Sequence, residues 1–148
     1  MLNKLVTWWQ SAPSDPVEDD ADQGLRRATA ALMIEISRSD MEIAATEKDK
    51  IAELVKSTFA LDDAELEGLI GDAGEAVENA VSLVEFSRVL VDQLSLDERG
   101  RVVDMLWQVA LADGSIDRYE DYYIRKIADL LYVSHARFIQ GKLRALGD

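Results

Sequence analysis

The chain has 148 residues, 48% hydrophobic and 30% charged, which suits one domain with a substantial core and excludes wholesale disorder. Sixteen Lys and Arg stand against 29 Asp and Glu, a formal net charge of −13, so the surface repels phosphate backbones and nucleic acid is excluded as an expected partner. With no cysteine and a single histidine, His135, the chain has no disulfides, no thiolate zinc site and almost none of the material for triad chemistry.

The first segment, residues 2–11, pairs Trp8 and Trp9 with Leu2, Leu5 and Val6 at helical spacing. Such a helix suits docking on a helical body or peripheral association with a membrane surface, although a lone Lys4 gives little attraction for anionic lipid. It does not read as a secretory signal, and no apolar run reaches the roughly 18 residues of a membrane span, so a cytoplasmic protein is expected. Ser11 to Asp22 holds both prolines and five acids and reads as an exposed acidic linker. Residues 1–24 are therefore expected to form an N-terminal helix and linker, and 25–148 a helical domain.

Within that domain apolar spacing is helical nearly throughout. Leu25, Ala28, Leu32 and Ile36 make one stripe, and Ala80, Leu83, Val84, Ser87, Leu90, Val91 and Leu94 another. No stretch alternates long enough to argue a strand. The pattern predicts helices over 20–38, 46–60, 62–70, 73–94, 96–112, 117–132 and 134–146, with Ser95 and Ser134 placed as caps. The expected fold is all-α, a duplicated bundle of about seven or eight helices with 73–94 bridging the two units.

The duplication shows when the chain is laid on itself with an offset of 73 residues, Asp40 onto Asp113. Met33, Ile36, Ile43, Glu47, Ile51, Leu54 and Val55 then fall on Leu106, Val109, Ile116, Glu120, Ile124, Ile127 and Ala128. After one gap, Leu61-Asp62-Asp63 runs beside Val133-Ser134-His135. Apolar periodicity alone supplies several of these matches; the coincidence of Asp, Ile and Glu is the informative part.

In the second copy Gly114 is placed to stop a helix after Asp113, and Asp117 with Glu120 has the N-cap to N3 spacing that opens the next. Every polar residue at this corner thus has a capping role open to it. The other reading is a metal site. Asp and Glu at equivalent ends of two repeated helices converge if the units pack about a pseudo-twofold axis, and carboxylates without His or Cys suit Ca²⁺, Mg²⁺ or Mn²⁺. An EF-hand does not fit, because counting from Asp113 the glycine stands at position two and position twelve is Ile124.

The Asp113-Gly114-x-Ile116-Asp117-x-x-Glu120 corner, its partner Asp40-Met41-Glu42-Ile43-x-x-x-Glu47 and the Leu106-Trp107-x-Val109-Ala110 lead-in resemble the TerB-like family of tellurite-resistance-associated proteins. The N-terminal domain of the DjlA co-chaperone is similar. The resemblance covers about residues 25–146. It implies a duplicated all-helical fold, a divalent metal held by Asp40, Glu47, Asp113 and Glu120 with Asp117 supporting or capping, protein partners and a link to stress response. The first copy departs from the pattern, with Met41 in place of Gly and Ala44 in place of a capping residue. Thr46 is the expected substitute cap and Glu42 a substitute ligand.

No phosphate loop, nucleophile elbow or Ser/His/Asp set is present, so no enzyme is expected. Tyr119, Tyr122 and Tyr123 are expected to pack in the core and rim, with a partner groove as the second reading, Trp107 to lie in the core and His135 to sit at a helix start. The cations Arg125, Lys126, Arg137, Lys142 and Arg144 oppose the acidic 15–22 segment in sign. The competing function is a protein-interaction scaffold whose acids are purely structural caps.

Overall fold

The computed structural model describes residues 16–37, 45–80 and 82–147. Within them lie seven α-helices: α1 (Pro16–Ser37), α2 (Ala45–Phe59), α3 (Asp63–Asn79), α4 (Val84–Gln93), α5 (Leu96–Ala110), α6 (Arg118–Leu130) and α7 (His135–Gly147). A 3-10 turn, Leu111–Asp113, joins α5 to the corner before α6, and no strand occurs among the described residues. The expected helix at 2–11 lies outside them.

Helix starts are fixed by side chains that satisfy the otherwise orphaned first-turn N–H groups. Asp62, Ser95 and Asp117 each accept from the backbone N–H three residues on, and Glu65, Glu98 and Glu120 each reach back to the cap N–H, making three full capping boxes. Ser134 Oγ accepts from the Arg137 N–H at 3.2 Å to open α7. Each such cap contributes about 1 kcal/mol.

Three boundaries differ from the sequence expectation. Helix α1 starts at Pro16 rather than near residue 20, so Glu18, Asp19, Asp20 and Asp22 lie on its first turns instead of in a linker. Proline breaks helices internally but suits the first helical position, where its missing N–H has no partner to lose. The expected break near Gly71 is absent: α3 runs on to Asn79 because Leu69, Ala73 and Val77 form a buried stripe through the glycines. The single bridging helix expected over 73–94 is therefore two elements, parted where Ala80 turns extended (φ −75°, ψ 142°). Thr46 lies inside the first turn of α2 and not at its cap.

The duplication appears in the backbone. Among the described residues α1 and α2 form the first helix pair and α5 and α6 the second. Each second helix then ends in a left-handed residue, Ala60 (φ 54°) and Tyr132 (φ 59°), followed by a closing bond from Leu61 N–H to Lys56 O (3.1 Å) or Val133 N–H to Ala128 O (2.9 Å). An arginine of each first helix reaches this corner. Arg26 lies over the Phe59 ring, and Arg99 Nη1 donates to Leu131 O at 2.6 Å. Packing follows the same rule: α1 contacts α2, α3 and α6, while α5 contacts α6, α7 and α2.

Between the units lies one core, in which Leu32, Met33, Ile36, Leu54, Leu106, Trp107, Ile124 and Ile127 are fully buried. Burying each large side chain stabilises the fold by about 1.5–3 kcal/mol. Trp107 keeps a polar partner, its Nε1 donating to Phe138 O at 3.2 Å. Beside it Arg137 forks onto Asp104 with bonds of 2.8 and 2.7 Å, locking α7 to α5. Small residues make room for the fork: a Cβ on Gly141 collides with Asp104 Oδ1, and one on Gly100 lies 2.9 Å from Arg137 Nε.

Gly141→Ala is therefore expected to destabilise the fold by about 1–3 kcal/mol, since the fork is held at both ends. Gly71→Ala is expected to stabilise it by roughly 0.5–1 kcal/mol, because Gly71 is helical and its Cβ meets nothing within 4 Å. Urea unfolding of both variants measures the two signs.

Candidate metal centre

Helices α2 and α6 open at equivalent points of the two units, and each carries a glutamate in its first turn: Glu47 and Glu120. On an exposed helix such acids face water and favour the helix dipole. Here both are buried, at 6% and 1% exposure. The fold brings the two repeat-related carboxyl groups into contact with each other.

Glu120 is fixed by the helix start it belongs to. Its N–H donates to Asp117 Oδ1 at 2.8 Å, and its Oε1 accepts from the Asp117 N–H at 3.2 Å. Its other oxygen, Oε2, is buried and receives no hydrogen bond from a donor group. What faces the carboxyl is Glu47, near enough for a hydrogen bond when one of the two carries a proton. Burial pushes Glu120 up to about 8; the Asp117 N–H pulls the other way, and the Glu47 carboxyl and the Asp117 charge add to the rise. Two carboxylates in one dry place cannot both ionise without a compensating cation, so the pair holds a proton at neutral pH.

The other expected site residues fall as follows. Asp117 is the exposed N-cap of α6, so its capping role is plain. Asp113 ends the 3-10 turn, and Gly114 after it adopts φ 101°, the left-handed stop that its sequence position suggested. The Asp113 side chain, and all of Asp40, Met41 and Glu42, lie outside the described residues. Among the described residues no group of three or more His, Cys, Asp or Glu is gathered to hold a metal ion. Glu47 and Glu120 are a pair.

Two features were not foreseen. Tyr119 and Tyr122 point outward from α6, and only Tyr123 packs against the core. Their helical spacing does not distinguish rim from solvent. An open cleft of about 420 Å³ lies beside the same corner, lined by Asp49, Lys50, Glu53, Gln108, Leu111, Ala112 and Ala145. Nothing in the sequence marks it, since its lining is drawn from α2, from α5 with its 3-10 turn, and from α7, which are far apart in the chain. Trp107 is fully buried and His135 stands exposed at the start of α7, both as expected.

A family model described as tellurite resistance protein TerB matches residues 26–143. The chain belongs to the TerB family. No curated protein and no solved structure matches it. The match spans both TerB units, from the second half of α1 to α7, and so includes both buried glutamates. No described helix of this TerB domain is long and apolar enough to cross a membrane.

The raised Glu120 value has a definite sign in stability. The native state holds its proton between the ordinary carboxylate range near 4.5 and about 8, whereas the unfolded chain releases it. This contribution is therefore full below about 4.5 and is lost as pH rises through about 8. Thermal melts across pH 4.5–8.5 in EDTA are expected to show this fall, and Glu120→Gln, which keeps the cap acceptor and can donate to Glu47, is expected to flatten it.

Proposed function

We propose that this TerB domain is a non-catalytic module that holds one hard divalent cation, Ca²⁺, Mg²⁺ or Mn²⁺, at the junction of its two units and engages protein partners in a tellurite or stress response. The observation that carries the reading is the buried contact of Glu47 with Glu120, whose Oε2 has no donor. A donor set of carboxylates without His or Cys fits a hard cation, whose charge would let both glutamates ionise. Glu47 and Glu120 would hold it from the two helix starts, with Asp40 and Asp113 completing the set from the preceding corners. Asp117 acts on Glu120 by fixing its backbone and its Oε1, leaving Oε2 for the ion.

A second reading, a scaffold whose acids only cap helices, is favoured by the complete Asp117–Glu120 box. The two differ in a melt with EDTA and then with millimolar Ca²⁺, Mg²⁺ or Mn²⁺. Metal binding predicts an ion-specific rise in midpoint, about 2.7 kcal/mol of stability at 100 times Kd, removed by Asp113→Ala. It also predicts that the cation flattens or reverses the fall of stability with pH, because it displaces the shared proton. Unchanged midpoints for every ion leave the capping reading.

A further inference from the structure

Helix α7 buries Phe138 and Gly141 against α5 and leaves a second apolar edge in solvent, with Leu143 at 62% and Leu146 at 54% exposure. Its residues His135–Gly147 include no acid. The cations around it outnumber their partners. Arg137 and Arg144 share Asp104, and Lys142 and Arg125 share Asp121, so four cations rest on two carboxylates. The face is leucine-ridged and locally positive on a molecule of net charge −13.

The repeat places its counterpart on α3. With the offset of 72 that applies after the gap, Leu143 corresponds to Gly71, Leu146 to Gly74 and Arg144 to Asp72. Equivalent sites thus carry ridge and positive charge in one unit, hollow and negative charge in the other. Helix α3 has no Lys or Arg. A Cβ on Gly68, Gly71 or Gly74 meets nothing within 4 Å, so packing inside the molecule does not require any of these helix-weakening residues.

We propose that α7 of one molecule docks on α3 of a second copy of this chain, with Leu143 and Leu146 seated along the glycine hollow and Arg144 facing the α3 acids. Like-signed faces repel, which disfavours α3 on α3 and α7 on α7 and selects a head-to-tail contact. Such a contact uses different surfaces on the two partners, so assembly continues into a chain or closes into a ring. The proposal is independent of the metal reading, since neither face contains Glu47 or Glu120.

Light-scattering mass against concentration tests it on the full chain and on two variants, Leu143→Glu and Gly71→Arg. Both changes are at exposed positions, and circular dichroism verifies that each variant folds. The wild-type mass is expected to climb above the monomer, and each variant alone to remain monomeric. An equimolar mixture is expected to plateau at twice the monomer mass, because one intact α3 face meets one intact α7 face. A wild type monomeric at every concentration, association that survives either substitution, or a mixture that stays monomeric would overturn the proposal.

Discussion

A carboxyl group buried against a second carboxyl group is the constraint around which this domain is arranged. Glu120 reaches that place because Asp117 starts α6 with a capping box, and Glu47 because α2 starts at the equivalent point of the other unit. Neither helix can slide without breaking the contact or exposing core residues one turn on, Ile51 in α2 and Ile124 in α6. The helix starts thus set the register of the two units, and the shared core fills the space that register leaves. The pair is also a point of tension, since the burial that aligns the units disfavours its charged form.

Much of this was legible in the sequence because duplication turns a weak signal into a comparison. One Asp-x-x-Glu is a common helix start; the recurrence of Asp, Ile and Glu at one offset puts Glu47 and Glu120 at equivalent positions of two units, from which they can converge. Helix identity was legible for the same elementary reason that caps work, as Ser95 and Ser134 illustrate. Errors arose where a residue's local preference and its context disagree. Gly71 and Gly74 favour a break, but the buried Leu69, Ala73 and Val77 carry α3 through them. Pro16 looks like a linker residue and is the first residue of α1.

The burial of Glu47 and Glu120, by contrast, was not readable from either residue alone. It depends on which helices meet between the two units, a long-range property to which local pattern is blind. The outward orientation of Tyr119 and Tyr122 was hidden for a related reason, since an aromatic at helical spacing suits rim and solvent alike.

Because α1–α3 and α5–α7 belong to one polypeptide, the pairing of Glu47 with Glu120 is an intramolecular event. In a dimer of separate units, dilution dissolves the shared site and every substitution appears twice. Here the second glutamate is presented to the first at a fixed effective concentration, whatever the abundance of the protein. The halves are also free to diverge: Ala44 stands where Asp117 caps the other unit, and Leu143 where its counterpart is Gly71. A tethered pair can therefore keep its junction at low copy number and use its two outer faces for different purposes.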